Sequence, residues 1–341
     1  MGNLAVGATR LTDYAAVMNR LRIYVDLAMP AEVRAMLEAG TAAHDVLFPP
    51  KRAVSVLGKG ELDPQFETAD VAFGQPDTQA IAGAKQLKWI QISSSGITRY
   101  DNPEFRASMA RRRIALCNSA SVYQEPCAVH ALSFILAQAR KLPRALVTRC
   151  PSGTGEWNDL RQASSTLRGE TVLIVGYGAI GARLTELLQP LGINIIACRR
   201  KPRGDEGVPV IALNQLDEVL PSADHIMNIL PDSQETQQFF DQARFARMKQ
   251  GAVFYNIGRG ATVDQTALNN ALRASHLAAA WLDVTEPEPL PDDHPLWSAP
   301  DCYITPHIAG GHANESGSLV RHFLGNLDRF VRGEPLLNRV M

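Results

Sequence analysis

The stretch Thr171–Arg200, TVLIVGYGAIGARLTELLQPLGINIIACRR, decides the fold. It opens on a short apolar run of strand type, Val172-Leu173-Ile174-Val175. Gly176-Tyr177-Gly178-Ala179-Ile180-Gly181 follows at once and leads into a helical pattern with Leu184, Leu187, Leu188 and Leu191. Gly192 stands where a glycine ends a helix, and Ile193–Cys198 supplies a second strand. Together these make a β-α-β unit. The three glycines play different parts. Gly176 makes the tight turn, Gly178 lets backbone approach a pyrophosphate, and Gly181 lets helix and strand pack closely. The pyrophosphate would rest on the unpaired N–H groups of the helix start. Glycine turns are common, so G-x-G-x-x-G alone is weak evidence. Between a strand and a helix it has the context that dinucleotide binding requires.

The end of the second strand bears on which dinucleotide is bound. A carboxylate there accepts hydrogen bonds from the adenosine ribose hydroxyls and selects NAD. Counted from Gly181, the expected position holds Arg199, followed by Arg200 and Lys201. A guanidinium cannot accept from a hydroxyl, but it clamps a 2′-phosphate through two parallel bonds. NADP is therefore the expected cofactor, with NAD possible. The bland alternative is a solvated basic turn, which Pro202 and Gly204 allow.

A length of 341 residues suffices for two domains with cores of their own. Apolar content of 45% and charged content of 20% are ordinary for a soluble enzyme. Lys+Arg 34 against Asp+Glu 35 leave a formal net charge of −1, which gives no electrostatic case for nucleic acid or a membrane surface. The one dense basic run, Arg111-Arg112-Arg113, reads as a solvated loop ahead of a strand. Cys117, Cys127, Cys150, Cys198 and Cys302 form no C-x-x-C pair and no metal-type spacing with histidine. No metal site is expected, and reduced thiols in a cytoplasmic protein is the plain reading. Met1–Val6 lacks the Ser/Thr of a myristoylation signal and the basic-then-apolar start of a signal peptide. The most apolar helical stretch, Ala128–Ala139, is too short to cross a bilayer. Residues 1–20 read as an unassigned extension.

Strands at 22–27, 69–73, 87–92 and 114–117 alternate with helices that begin near Pro30 and Gln79. Such alternation means a parallel sheet covered on both faces, so the chain up to about residue 118 is an α/β unit of its own. A long helix is expected over 121–140, with Val129, Leu132, Ile135 and Leu136 at helical spacing. Residues 144–167, rich in Pro, Gly, Ser and Arg, read as an ordered excursion. Further strands fall at 171–175, 193–198, 225–229, 252–257, 278–284 and 302–305, and a last helix at about 314–332.

Three loops leave the carboxyl ends of these later strands, the edge at which open α/β sheets bind ligands. They are Asn256-Ile257-Gly258-Arg259-Gly260, Leu282-Asp283-Val284-Thr285-Glu286-Pro287-Glu288-Pro289 and Ile304-Thr305-Pro306-His307-Ile308-Ala309-Gly310. An arginine, a carboxylate and a histidine meeting beside a nicotinamide are what reduction of a 2-keto acid requires. The arginine holds the substrate carboxylate bidentately and polarises the carbonyl. The charged histidine gives its proton to the forming alkoxide, and the neutral ring takes it back in oxidation. A carboxylate on the other ring nitrogen fixes the tautomer and stabilises the charged ring. The bland readings are a structural histidine at 307, an exposed acid at 288 and a strand-end arginine at 259, although glycines flanking Arg259 suggest a ligand near the backbone. His44, His225, His276, His294 and His322 have no motif around them and read as surface or satisfied core. Arg99 and Tyr100 follow the loop Ser93–Gly96 and are candidates to touch a substrate side group.

VGYGAIGARL, NILPDSQET, MKQGAVFYNIGRGATVDQTAL, LAAAWLDVTEPEPLPDDHPLW and YITPHIAGG together resemble the D-isomer-specific 2-hydroxyacid dehydrogenase family, over the chain from about residue 22 to its end. The resemblance implies that Arg259 orients substrate, His307 is the acid/base and Glu288 is its partner. Glu288 rather than Glu286 is the match, because the family's glutamate immediately precedes the proline of the E-P end. It also implies that Asp283 holds the nicotinamide carboxamide and that Leu230 and Pro231 lie along the cofactor. Ile257, Gly258 and Gly310 count among the cofactor-binding positions with the glycine loop, Arg199 and Arg200. Ser95 and Gly96 match a loop whose backbone N–H groups grip the substrate carboxylate.

The architecture implied by the resemblance is α/β, with two Rossmann-like or flavodoxin-like parallel-sheet domains. A discontinuous substrate domain spans 1–118 plus 307–341, a dinucleotide-binding domain spans 119–306, and catalysis takes place in the cleft, where closure excludes water. In the family the segment after the long helix builds a two-fold homodimer, a role for 144–167. Three departures stand out: Gly258 where Ala is common, a loosening; Val129 where a glutamate is usual; and Arg199 for the usual Asp. The leading expectation is an NADPH-preferring reductase of the glyoxylate or hydroxypyruvate type. A phosphoglycerate dehydrogenase is a lesser alternative, with no regulatory domain after residue 341. A phosphite or other small-anion dehydrogenase is another; the formate branch would place glutamine at 288. A dinucleotide-sensing corepressor keeps the same triad, and the lack of charge- or proline-biased tails argues against it.

Overall fold

The computed structural model describes residues 20–50, 58 and 60–341; residues 1–19, the unassigned extension but for its last residue, lie outside the described residues. The chain divides into two compact units, one running to Val122 and resuming at Asn314–Met341, the other Tyr123–Ala313. The breaks expected from sequence are 118/119 and 306/307. The later break falls beyond His307 because Asp283 of the second unit holds the 305–309 loop by hydrogen bonds.

In the first unit β1 (Arg22–Asp26), β2 (Asp45–Leu47), β3 (Val71–Gly74), β4 (Trp89–Ile92) and β5 (Ala115–Cys117) form one sheet in the order β2-β1-β3-β4-β5. Every pairing is parallel, and the order is that of the flavodoxin-like doubly wound sheet. β3 and β4 are buried throughout, which is why they read as continuous apolar runs rather than alternating ones. β2 is an edge strand of 3 residues, too short to leave an apolar run in the sequence. The helix Glu315–Arg332 returns to this unit. Its Phe323 stacks on Phe73 at 4.5 Å and on Trp89 at 5.3 Å between ring centroids.

The structure corrects two expectations in this unit. The basic run is not a solvated loop: Arg111 and Arg112 end the helix Pro103–Arg112, and Arg112 donates to the carbonyls of Ile81 and Ala84 at another helix end. Tyr100 faces the core, 1% exposed, with its hydroxyl donating to the Pro76 carbonyl at 2.9 Å. It is therefore removed from any contact with substrate.

In the second unit β6 (Thr171–Val175), β7 (Asn194–Arg199), β8 (Val210–Ala212), β9 (His225–Asn228), β10 (Ala252–Asn256), β11 (Leu277–Leu282) and β12 (Cys302–Ile304) pair in the order β12-β11-β10-β9-β6-β7-β8. All are parallel. The order reverses between β6 and β9, the switch point at whose carboxyl ends doubly wound sheets bind ligands. Gly176 and Leu230 follow those two strands. Gly192, φ +70°, closes the helical segment after the glycine loop. The excursion after the long helix folds as two helices, Leu142–Val147 and Gly155–Gln162.

His225 is a satisfied core histidine: its Nδ1 pairs with the Tyr255 hydroxyl at 2.9 Å and its Nε2 with Glu170 at 2.7 Å. Among the described residues no helix is long and apolar enough to cross a membrane, and no cluster of His, Cys, Asp and Glu has the makings of a metal site.

Phe323 is fully buried between Phe73 and Trp89. Phe323→Ala is expected to lower the unfolding free energy by about 3–5 kcal/mol in urea titration. A loss under about 1 kcal/mol contradicts this packing.

Candidate active site

The glycine loop at the switch point fits a pyrophosphate. Gly176 has φ +97°, and a Cβ there would stand 2.7 Å from the Ile229 carbonyl, so only glycine lets the two strand-end loops cross. At Gly178 a Cβ would meet open space, and no side chain caps the helix Ala179–Leu188 that begins there. Its first-turn N–H groups thus have no intrahelical partner and no cap, the donor set an anion needs. A Cβ on Gly181 would press on Ile174 at 3.2 Å, which is the close approach of helix to β6.

Arg199 is the last residue of β7. Its Nη1 donates to Glu206 Oε1 at 3.2 Å, so the guanidinium already has a carboxylate partner. Arg200 is largely exposed and lies 3.6 Å from Glu235.

The loop bearing Arg259 is set by a buried polar network. Asn228 Nδ2 donates to Asn256 Oδ1 at 3.0 Å and to Thr262 Oγ1 at 2.7 Å. Asn256 Oδ1 also accepts the Gly258 N–H, and Asn256 Nδ2 and Thr262 Oγ1 both donate to the Arg259 carbonyl. These three side chains are at most 1% exposed. Their satisfied groups fix the peptide planes on either side of Arg259 and leave its half-buried side chain as the variable part. A Cβ on Gly258 would lie 2.6 Å from the Leu230 carbonyl oxygen. Gly258 is therefore a requirement of close backbone contact, not the loosening expected from the family's usual alanine. Leu230 and Ile257 are buried beside it, and Pro231 is exposed.

Asp283 ends up as an organiser. It is 1% exposed; its Oδ1 accepts from Thr305 Oγ1 at 2.6 Å and from the Ile308 N–H at 2.9 Å, and its Oδ2 accepts from the Ala309 N–H at 2.9 Å. Its backbone carbonyl takes the His307 N–H at 2.8 Å. These bonds hold His307 at φ +52°, a conformation that costs a non-glycine residue on the order of 1–3 kcal/mol. The ring is thereby aimed at Glu288: His307 Nδ1 and Glu288 Oε2 are 2.8 Å apart.

Glu288 Oε1 accepts the Thr285 N–H at 3.0 Å, so both carboxylate oxygens are engaged. Burial pushes the Glu288 carboxyl up, but the bonds from His307 and Thr285, with the charges of His307 and Arg259, outweigh it and hold the group below the usual carboxylate range. Glu286 is exposed and meets Gln265 only through its backbone. The geometry thus separates the two glutamates as the E-P match does. His130, on the long helix, adds a second support: its Nε2 lies 3.4 Å from Thr305 Oγ1 and 3.6 Å from Asp283.

In the first unit, the Ser95 carbonyl accepts from Asn118 Nδ2 and the Gly96 carbonyl from Ser94 Oγ, both at 2.7 Å. In a trans peptide this turns the following N–H groups, of Gly96 and Ile97, the opposite way. Buried Gln75 ties the loop from below, donating to Ser93 and Ser94 and accepting from Arg99 at 3.2 Å. Gln75, Asn118, the Asn228–Asn256–Thr262 network, His130 and Glu206 all escaped the reading of the sequence. Single polar residues with partners far along the chain leave no periodic signal.

Residues 132–309, more than half of the chain, match the family described as D-isomer specific 2-hydroxyacid dehydrogenase, NAD binding domain. The chain is 33% identical over 282 residues to glyoxylate/hydroxypyruvate reductase B of Citrobacter koseri, a match covering 81% of this chain and 85% of that protein. It is 32% identical over 257 residues to the glyoxylate reductase/hydroxypyruvate reductase of Homo sapiens, covering 75% and 77%. The fold is similar to that of a D-isomer specific 2-hydroxyacid dehydrogenase from Xanthobacter autotrophicus Py2 solved in complex with NADPH and MES. The TM-score is 0.74 at 26% identity, over 94% of this chain and 98% of that one.

Burial lowers the His130 pKa against the opposing pull of Asp283, and burial likewise lowers His322 and His44. Below an unfolded-state value of about 6.5 the unfolded chain takes up protons that the folded one refuses, so stability rises with pH and is lost on acidification. The melting temperature is expected to be lower at about pH 5.5 than at about pH 7.5, and His130→Gln to narrow that difference. A midpoint that stays flat or rises in acid contradicts the burial of these rings.

Proposed function

The chain belongs to the D-isomer specific 2-hydroxyacid dehydrogenases, and on that premise we propose that it is an NADPH-preferring reductase of a small 2-keto acid, of the glyoxylate or hydroxypyruvate kind. One observation carries the reading: His307 Nδ1 is bonded to Glu288, a carboxylate whose charge also responds to Arg259. The substrate class is supported by the names of the relatives, and the cofactor by Arg199 with the NADPH of the Xanthobacter protein. NAD remains usable.

With Nδ1 committed to Glu288, Nε2 is the ring nitrogen left to face a substrate carbonyl. In reduction the charged ring donates from Nε2 to the carbonyl oxygen as negative charge develops there, and in oxidation the neutral ring takes the proton back. Glu288 holds the tautomer and offsets the ring's charge in the protonated state. Arg259 grips the substrate carboxylate and draws electron density toward the carbonyl oxygen. Bound nicotinamide supplies the hydride in this direction. The N–H groups of the Ser95-Gly96 loop are further donors for the substrate carboxylate. Three donors fill three of the roughly four acceptor directions of Asp283, which leaves at most one for the carboxamide. Leu230, Pro231, Ile257, Gly258 and Gly310 would line the dinucleotide, and the N–H groups of the Gly176–Gly181 turn would hold its pyrophosphate.

The assembly in this reading is a two-fold homodimer through the segment after the long helix. Leu146 and Val147 are 81% and 78% exposed there, and Val129 and Leu136 stay exposed on the long helix. Isolated apolar side chains are normal at surfaces, but two adjacent ones this exposed support an interaction face there. The compartment proposed is the cytoplasm, where the five cysteines stay thiols.

Purified protein is expected to oxidise NADPH with glyoxylate or hydroxypyruvate. His307→Ala is expected to lower kcat by about 10³-fold and Glu288→Gln by about 10–100-fold, with NADPH affinity kept. An undiminished rate in His307→Ala ends the mechanism. In sedimentation velocity the protein is expected as a dimer, and Leu146→Glu with Val147→Glu as a monomer; a monomeric wild type contradicts the proposed assembly.

A further inference from the structure

The loop that leaves β7 folds a carboxylate back onto the arginine at the strand's end. Glu206 Oε1 accepts from Arg199 Nη1 at 3.2 Å and from the Arg203 N–H at 2.8 Å, and Oε2 accepts from the Gly204 N–H at 2.7 Å. Its side chain is 1% exposed, while those of its loop neighbours Arg203 and Asp205 are 64% and 73% exposed. Gly204 and Gly207, at φ +88° and +73°, give the loop the turns that bring Glu206 inward. Two successive backbone N–H groups and a guanidinium converging on one point form an anion nest. Here the nest is filled from within. The Arg203 and Gly204 N–H bonds, with that from Arg199, hold the Glu206 carboxyl below the usual range, so it is charged at neutral pH.

We propose that Glu206 is an internal competitor for the 2′-phosphate of NADP(H), occupying Arg199 and the 203–204 nest and thereby setting how strongly the chain prefers the phosphorylated cofactor. This rests on the reading of Arg199 as the clamp for that phosphate. A phosphate that engages Arg199 bidentately meets a carboxylate already on the same guanidinium, and like charges so placed repel. Binding then requires Glu206 to swing off Arg199 or costs affinity if it stays. A cofactor with a 2′-hydroxyl brings no charge and meets no such opposition. Glu206 is thus a specificity-determining residue that weakens NADPH and spares NADH, an arrangement that lets the second cofactor compete.

The test is calorimetric titration of the whole protein with NADPH and with NADH, for the wild type, Glu206→Gln and Glu206→Ala. Gln keeps the shape and removes the charge; Ala empties the nest and serves if the Gln variant folds poorly. Both variants are expected to bind NADPH about tenfold more tightly, with NADH changed by no more than about twofold. If the wild type binds both dinucleotides and both variants leave NADPH affinity unchanged or weaker, the proposal alone is overturned. A wild type that binds neither dinucleotide overturns the cofactor reading and this proposal with it.

Discussion

The candidate site depends on one buried carboxylate. Asp283 sits at the end of β11 and gathers the Thr305 hydroxyl and the N–H groups of Ile308 and Ala309. A buried carboxyl group left without these donors would cost several kcal/mol, so the loop after β12 has to wrap around it. Wrapping it forces His307 into the left-handed region. That strain is offset by the hydrogen bonds, and it is also what aims the imidazole at Glu288. The histidine's position is thus a consequence of polar satisfaction at Asp283 rather than of its own packing.

Parallel pairing does the rest. β10, β11 and β12 run side by side and parallel, so the loops carrying Arg259, Glu288 and His307 leave the same edge of one sheet. The Arg259 loop touches its neighbours backbone to backbone: a Cβ on Gly260 would overlap the Thr285 carbonyl of the Glu288 loop, and one on Gly258 would crowd the Leu230 carbonyl of the loop after β9. Such contacts have little freedom to shift, and they hold three loops at fixed spacing without side chains between them. The buried Asn228–Asn256–Thr262 network then sets the peptide planes next to Arg259. A rigid backbone that fixes where each side chain starts is what preorganised polar catalysis needs.

Much of this was legible in the chain. The glycine loop, the strands buried on both faces and the three strand-end loops carry strong local signals, and the structure has each of them. Glu286 and Glu288 both precede a proline, so only the match to the family's E-P end told them apart, and it is Glu288 that meets His307. What escaped has a common physical character. The edge strands Asp45–Leu47 and Val210–Ala212 have 3 residues each, too short for periodicity to separate them from loop. Tyr100 looks polar in a loop, yet its ring fills a core and its hydroxyl finds a carbonyl. Arg112 caps a distant helix end, and Glu206 claims Arg199 from across a turn. Each is a pairing decided by three-dimensional proximity, for which residue type and spacing carry no record.

The most direct test of the central claim is a crystal structure of the protein with NADPH and oxamate, an unreactive mimic of a 2-keto acid. The account predicts His307 Nε2 within about 3 Å of the oxamate carbonyl oxygen, with Nδ1 still on Glu288 and the Arg259 guanidinium paired to the oxamate carboxylate. Oxamate bound away from these groups, or His307 turned off Glu288 in the complex, would contradict it.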